Sequence, residues 1–343
     1  MDLLLQIKNK VKSNPDWNDA RGIESVLTHI EIAERHQRRA KMDRDEHLYT
    51  DVIYRTNHAF EGILKEAYIL LAGHLAENLS PYEIEEYLLT NNTLRPRVID
   101  QLKNYRQNWR NPSTHDYQLF FSEQESFLAI VSVSAFVSIL LDQMLERAAY
   151  LRKLKALGDI ALLARDRIRD FENLPPIEKV RRVITSFADH YIINFPEMSA
   201  YSRAETTAQL AAFVERVAPE FVVEQEVRSI SGDQPVVFDI VISDGDAKVA
   251  VETREPRSSD PVLADLASDA AMRQFEEYLR LAALSNGVLF FLPGAPNEVP
   301  VSTTANSSWP KDLNLREVYG EDKDEVESWS VDEVPVSLVN EHN

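Results

Sequence analysis

The chain has 343 residues, which is long enough for two domains that each bury a core of their own. It contains no cysteine, which excludes disulfides and thiolate metal sites, and its formal net charge of -19 argues against nucleic-acid binding through overall charge alone. No apolar run is expected to span a membrane, and the apolar start of the chain is too short for a signal peptide. We therefore expect a cytoplasmic protein without a membrane partner.

The charge is distributed unevenly along the chain. Residues 94–110 hold five basic side chains against one acid, and residues 147–182 hold ten against five. Residues 298–343 hold 11 acids and three bases. The basic segments either form a surface for a phosphate backbone or are ordinary solvated helix faces, and charge alone does not distinguish the two.

Residues 1–158 are predicted to form an all-α domain. Apolar residues recur at helical spacing over 51–77, and capping boxes at 80–83 and 122–125 predict two helix starts. The second box opens a helix over 127–150 that is apolar nearly all round. Such a helix must form a bundle core, an interface or both.

Residues 159–198 are predicted to be a helical connector, and residues 199–295 a compact α/β domain. The order of elements in that domain is helix, strand, strand, strand, helix, strand. The strands, rich in Val, Ile and Phe, are predicted at 221–228, 236–243, 248–254 and 287–292. Residues 296–343 are rich in Pro, Ser and acidic side chains, which predicts an acidic tail with poor order and little core of its own.

Between two predicted helices lies the segment 110–115, with the sequence Arg-Asn-Pro-Ser-Thr-His. Pro112 predicts a loop or a helix start, in which Arg110 and His115 could converge. Arg is a permanent cation that fits phosphate oxygens, and His exchanges a proton near neutral pH, so the pair suits phosphodiester cleavage without a metal. Asn111 would orient His115 or bind a phosphate oxygen. The alternative is a polar loop that caps a helix.

This Arg-Asn-x-x-x-His segment between two helices, in a domain of four or five helices, resembles the HEPN family. The resemblance covers roughly residues 20–155 and includes an early helix at 54–65. It implies a metal-independent endoribonuclease that acts on RNA as a homodimer, with the two motif segments meeting at a two-fold axis, and a role such as phage defence. It assigns the catalytic positions to Arg110, Asn111 and His115. Some family members bind RNA without cutting it.

A hairpin turn is predicted at 244–245, where Asp-Gly separates two strands. A two-residue turn at these positions pairs Asp239 with Ala250. Asp239 then shares a face of the sheet with Glu252 and Arg254, because alternate residues of a strand point the same way. Glu252 is diagonal to Asp239 in this register, about 7–8 Å away at the backbone.

Two carboxylates placed in this way could hold one Mg²⁺, and the predicted metal ligands are Asp239 and Glu252. Glu205, on the preceding helix, is a candidate third acid. The alternative is an exposed strand face on which Glu252 pairs with Arg254 or Lys248.

Asp239 followed by Glu-Thr-Arg at 252–254 resembles the PD-(D/E)xK nuclease fold, over roughly residues 200–292. Gln274 and Tyr278 follow at the spacing of some restriction-endonuclease-like members. The resemblance implies Mg²⁺ as a cofactor and DNA as a second partner, and it assigns a catalytic position to Arg254. The family has Lys at that position, and Arg is less suited to activate a water because its pKa is too high for proton exchange.

We therefore predict a dimeric endoribonuclease with an all-α HEPN-like domain that needs no cofactor. Its α/β restriction-endonuclease-like domain engages nucleic acid, with Mg²⁺ as the candidate cofactor. Two other functions remain open. One is a metal-dependent DNA endonuclease whose helical half only dimerises, and the other is a non-catalytic regulator in which both domains bind nucleic acid.

Overall fold

The computed structural model describes residues 3–13, 21–76, 78–115, 120–158, 160–231, 234–255, 261–293 and 314–318. The chain divides into two compact units, Met1–Ala148 and Ala149–Asn343. The first unit is helical and the second combines helices with a β-sheet. This confirms the predicted order of a helical N-terminal part and an α/β C-terminal part.

The first unit is built from helices, two of which end in a π-helical turn. The helices are α1 (Leu3–Ser13), α2 (Arg21–Asp43), α3 (His47–Ala67), α4 (Pro81–Thr90), α5 (Pro96–Tyr105), α6 (Asn111–His115) and α7 (Glu123–Ala156). The residues of α7 from Ala149 onward belong to the second unit. The π-helical turns are Tyr68–Ala72, after α3, and Arg106–Arg110, between α5 and α6. The predicted capping boxes are both present, at the starts of α4 and α7.

The core of the first unit centres on Phe60 of α3. Its ring stacks on Tyr105 of α5 with centroids 4.6 Å apart, and it contacts Phe136 of α7 at 5.0 Å. All three side chains are buried, and aromatic pairs at this spacing stabilise a core beyond their buried area alone. The contact anchors the last residue of α5, from which the motif segment continues.

Helix α7 is longer and more apolar than the sequence prediction allowed. Residues 126–141 carry no charged side chain, so the helix contains an 18-residue window with the length and composition to cross a membrane. The expectation that no apolar run reaches this length is therefore wrong. Of this apolar stretch, 61% is buried within the protein, and a helix in a protein core has the same apolar composition.

The second unit wraps helices around a five-stranded mixed sheet. Its helices are α8 (Ile160–Asp166), α9 (Pro176–Ile193), α10 (Phe195–Met198), α11 (Arg203–Val217) and α12 (Pro261–Leu281). Its strands are β1 (Val222–Ser231), β2 (Gln234–Asp244), β3 (Ala247–Arg254), β4 (Asn286–Phe291) and β5 (Asn314–Val318), in that spatial order. The first three strands are antiparallel, whereas β4 and β5 run parallel to β3.

Two apolar layers cover the sheet. Phe187 of α9 meets Phe213 of α11 and Phe290 of β4 on one side, with ring centroids 5.5 and 6.1 Å apart. Phe238 of β2 and Phe275 of α12 belong to a separate cluster, 6.3 Å apart. The predicted connector 159–198 therefore supplies part of the core of the second unit, because α9 packs directly on β3 and β4.

The predicted acidic tail contributes a strand. Asn314–Val318 pairs in parallel with β4, from Asn286↔Asn314 to Phe290↔Val318. A sheet edge presents unpaired amides and carbonyls, and a five-residue segment is sufficient to bind them. The prediction that 296–343 lacks structure is thus wrong for these five residues, and the other residues of the tail lie outside the described part of the chain.

The hairpin between β2 and β3 has a register two residues away from the predicted one. Asp244 pairs with Ala247, so the two turn residues are Gly245, with a φ of +59°, and Asp246. Glycine tolerates this left-handed conformation, which places it at the first position of the turn. Continuing the ladder one step beyond Ile240↔Val251 puts Asp239 directly opposite Glu252, not diagonal to it.

Candidate functional site

The motif segment 110–115 is helical. Helix α5 continues into the π-helical turn and then into α6 without a break, and the amide of Asn111 donates to the carbonyl of Arg106, five residues back. Pro112 has no amide hydrogen, and its ring conflicts with a regular α-helical turn before it. The wider π-helical turn accommodates the ring. The segment is therefore neither the predicted loop nor the predicted helix start, but a continuation of the preceding helix.

A chain of hydrogen bonds ties this segment to α3. The hydroxyl of Tyr105 donates to Asn57 Oδ1 at 3.1 Å, Asn57 Nδ2 donates to Ser113 Oγ at 2.8 Å, and Ser113 Oγ donates to the carbonyl of Arg110 at 3.0 Å. Burial raises the pKa of Tyr105, so its hydroxyl keeps the proton that it donates. The backbone of Arg110 is thereby held against the core.

The side chain of Arg110 lies partly at the surface beside two acceptors. Its Nε is 3.5 Å from Glu61 Oε1, and its Nη1 donates to Asn111 Oδ1 at 3.4 Å. It is 27% exposed, so a ligand in solvent can reach it. The structure thus places Asn111 as a partner of Arg110. The side chain of His115 lies outside the described residues.

The helical backbone separates the two ends of the motif. Five α-helical residues turn the chain through roughly 140° about the helix axis and advance it by about 7.5 Å. The Cα atoms of Arg110 and His115 therefore lie on different sides of α6. This backbone therefore does not bring Arg110 and His115 together within one chain, contrary to the prediction.

Three further basic side chains lie close together on α2 and α3. The rings of His29 and His58 stack with centroids 5.1 Å apart, and Arg55 Nη1 lies 3.5 Å from His29 Nδ1. Burial lowers the pKa of His29, and the charges of His58 and Arg55 lower it further. His58 lies one helical turn before Glu61, the ion-pair partner of Arg110.

In the second unit, Asp239 is bound by residues of α11 and β3. Its Oδ2 accepts from the amide of Thr253 at 2.8 Å, from the Thr253 hydroxyl at 2.6 Å and from Arg203 Nη1 at 3.1 Å. The same Nη1 donates to the carbonyl of Thr253 at 2.6 Å. Thr207 shares a hydrogen bond of 2.6 Å with the Thr253 hydroxyl, which ties this network to α11.

Glu252 and Arg254 belong to a different network, directed at α12. Arg254 Nη2 is 3.4 Å from Glu252 Oε1 and donates to Gln274 Oε1 at 3.2 Å, and Gln274 Nε2 donates to the hydroxyl of Tyr278 at 2.9 Å. Burial raises the pKa of Glu252 to about 7, and the nearby charge of Asp239 adds to the rise. Glu252 Oε2 is buried and accepts no hydrogen bond from the described residues.

Strand β1 is strained beside this site. Glu226, which lies opposite Asp239 in the β1–β2 register, has a φ of +50°. A residue with a side chain rarely adopts this left-handed conformation, which costs on the order of 1–3 kcal/mol.

These residues do not fit the Mg²⁺ that the resemblance implies, since that ion takes about six oxygen ligands. The guanidinium of Arg203 donates to both Asp239 and the carbonyl of Thr253, the two oxygens on which such an ion would rest. Glu205 Oε2 accepts from the amide and hydroxyl of Ser202, at 3.0 and 2.7 Å, and so caps α11. Among the described residues, no three His, Asp or Glu side chains are grouped to hold a metal.

The chain matches no protein-family model, no curated protein and no solved structure. Its function is therefore inferred from its own residues and from the two resemblances that its motifs carry. The described residues contain two separate candidate sites. One is the motif segment 110–115 in the first unit, and the other is the acidic row of the sheet (Asp239 and Glu252) in the second unit.

Three site residues were missed by the sequence analysis: Asn57, Glu61 and Arg203. Asn57 and Glu61 are four residues apart on α3 and therefore share one helix face, so their spacing was a signal that they contact the same neighbour. Arg203 carries no comparable signal. It follows a helix cap, and only the fold brings it next to Asp239.

Proposed function

We propose that the protein is an endoribonuclease of the HEPN type, which cuts single-stranded RNA as a homodimer without a metal ion. The observation that carries the proposal is the placement of Arg110. The bonds through Asn57 and Ser113 hold its backbone, while its guanidinium is within reach of solvent. A cation held in this way needs little reorganisation to stabilise a negatively charged transition state. His115 is the last residue of α6, which directly follows the π-helical turn that ends at Arg110.

In the reaction that these residues suit, the 2′-hydroxyl of the RNA attacks the adjacent phosphate, and the bond from phosphorus to the 5′-oxygen breaks. The products are a 2′,3′-cyclic phosphate and a 5′-hydroxyl, so the step consumes no water. His115 removes the proton of the attacking hydroxyl or protonates the leaving oxygen. Arg110 donates to the phosphorane oxygens that gain negative charge.

A homodimer supports this chemistry, because one chain has one Arg110 and one His115 whose Cα atoms face different sides of α6. In-line displacement is best served by one group at the attacking oxygen and another at the leaving oxygen. A second copy, related by a two-fold axis, supplies the second pair. The basic side chains of His58 and Arg55 would then lie beside the path of the RNA.

The start of α7 offers an apolar surface for such a dimer. Phe127, Leu128 and Val131 are 55, 51 and 44% exposed, and they lie within four positions of one another on the helix. Large apolar side chains that cluster at a surface mark sites of protein association. We assign this apolar patch of α7 (Phe127, Leu128 and Val131) to the dimer interface.

Replacement of Leu128 by Glu is expected to give a folded monomer whose RNA cleavage falls at least about tenfold, because a carboxylate buried in an apolar interface costs several kcal/mol. Sedimentation and cleavage rates at the same protein concentration test this. Leu162→Glu is the matched control, since Leu162 of α8 is 65% exposed and lies in the other unit. A dimer that survives Leu128→Glu would remove the patch from the interface.

Single-turnover assays on one RNA and the matching DNA, each with Mg²⁺ and with EDTA, test the activity itself. We expect RNA to be cut in both conditions, and an RNA with one 2′-deoxyribose at the cleavage position to resist. Cleavage that needs Mg²⁺, or cleavage of DNA, would favour the metal-dependent endonuclease. Binding without products would favour the non-catalytic regulator.

The second unit and the biological role complete the proposal. A nucleic-acid-engaging role for the second unit rests on its restriction-endonuclease-like resemblance. The guanidinium of Arg203 lies where an ion would bind, which argues against metal-dependent cleavage by this unit. A role in defence against phage rests on the HEPN resemblance alone, and the cytoplasmic placement rests on the sequence composition.

A further inference from the structure

Arg203 is the first residue of α11, and its side chain contacts two strands of the sheet. Its Nη1 lies between two oxygens of different chain segments, 3.1 Å from Asp239 Oδ2 on β2 and 2.6 Å from the carbonyl of Thr253 on β3. The Asp239 side chain is 23% exposed and that of Arg203 is 35% exposed, so this contact is only partly screened by solvent.

The acceptors around Arg203 are those that a divalent cation takes. A carboxylate, a backbone carbonyl and a second carboxylate are hard oxygen ligands, and Glu252 supplies the second carboxylate directly opposite Asp239. The side chain of Glu252 is nine-tenths buried, and its Oε2 has no hydrogen-bond partner among the described residues. A buried carboxylate oxygen without a donor is costly unless a cation lies nearby.

We infer that Arg203 acts as a tethered cation that takes the place of a divalent metal ion between Asp239 and Thr253 and keeps the site closed to such ions. One terminal nitrogen of the guanidinium satisfies the carboxylate and the carbonyl together, since Nη1 carries two N–H donors. The Arg203 guanidinium does not donate to Glu252 Oε2, so this oxygen remains a potential metal ligand without a hydrogen-bond donor among the described residues. The second unit then holds its acidic row together without a metal.

This role does not depend on RNA cleavage by the first unit. It concerns residues of α11, β2 and β3 only, and it predicts a property of the intact chain that is measured without a nucleic acid. Removal of the Arg203 guanidinium should open a site for one divalent ion at Asp239 and Glu252.

The test measures Mn²⁺ binding to the full chain by electron paramagnetic resonance, and thermal unfolding with and without Mn²⁺ or Mg²⁺. For the natural chain we expect no bound Mn²⁺ and a melting temperature that the metal moves by less than about 1 °C. For Arg203→Met we expect one bound Mn²⁺ per chain, at least about tenfold tighter than any binding to the natural chain, and a rise of about 5 °C with metal.

Two controls make the outcome decisive. Arg228→Met removes an exposed Arg from β1 of the same unit and should leave metal binding unchanged. Arg203→Met combined with Asp239→Asn should lose the new site. Arg203→Met that folds and binds no Mn²⁺ would overturn the inference. If that variant does not fold, Mn²⁺ binding to the natural chain is compared with binding to Asp239→Asn. Binding to the natural chain that is lost in Asp239→Asn would show that Arg203 does not close the site.

Discussion

Replacement of His115 by Ala is expected to slow RNA cleavage about 10²–10⁴-fold, which is the usual contribution of a positioned general acid or base. The loss should appear in the single-turnover rate and not in RNA affinity. The imidazole transfers a proton only in the transition state, whereas Arg110 and the basic side chains near it bind the phosphate of the ground state. The measurement is single-turnover cleavage in EDTA, together with a binding titration of the same variant.

His74→Ala is the matched control for this prediction, since His74 is an exposed His of the same unit, away from the motif. Its rate should stay within about twofold of the natural chain, because surface substitutions away from a site have small effects. Arg110→Ala should lose both rate and affinity, as the same cation serves the bound phosphate and the transition state. Unchanged cleavage in His115→Ala would reject the proposed mechanism.

Replacement of Lys153 by Met is expected to stabilise the second unit at pH 7 by about 1–4 kcal/mol. Lys153 is buried on α7, and its Nζ forms a short hydrogen bond with Nε2 of the buried His190 on α9. The pKa of Lys153 is lowered to about 7, mainly by burial and to a smaller extent by Arg152, while Glu197 opposes the shift. Met removes the buried ammonium, at the cost of the hydrogen bond to His190.

The sign of the pH dependence follows from the direction of this shift. The pKa of Lys153 is about 7 in the folded protein and near 10.4 when unfolded, so between these values the unfolded chain binds more protons. Stability therefore rises with pH in this window, and the full penalty applies below pH 7. The pKa of His190 is also lowered, by burial and then by Lys153, which adds a loss of stability as the pH falls below about 6.5.

Chemical denaturation of the natural chain at pH 7 and pH 9.5 measures this slope. In Lys153→Met the rise should disappear. Lys155→Met, two residues further along the same helix and exposed, should keep it. The same slope in both variants would show that other groups cause the pH dependence.

Local features of the fold followed from the sequence because their chemistry is local. The capping boxes at 80–83 and 122–125 satisfy amides within one turn of a helix, and both are present. The content of Val, Ile and Phe predicted β1 to β4 to within a few residues. The helix over 127–150 was predicted, and its length of 34 residues was not, because its ends extend beyond the apolar run.

Features that depend on residues distant in the chain did not follow from the sequence. A hairpin slip of two residues keeps every side chain on the same face, so the apolar pattern could not distinguish a turn at 244–245 from one at 245–246. The edge strand at Asn314–Val318 forms because β4 presents unpaired backbone groups, which no local pattern reveals. Pro112 likewise predicted a loop or a helix start, whereas the π-helical turn keeps the segment continuous with the preceding helix.

The same division applies to the two candidate sites. The residue types and their spacing at Arg110, Asn111 and His115 are sufficient to propose phosphodiester chemistry, since charge and proton affinity belong to the side chains themselves. Tertiary contacts decided that Asn57 anchors the segment, that Arg110 stays accessible, and that Arg203 lies against Asp239. These contacts join residues 36 to 56 positions apart, and only the packing of helices and strands can bring such residues together.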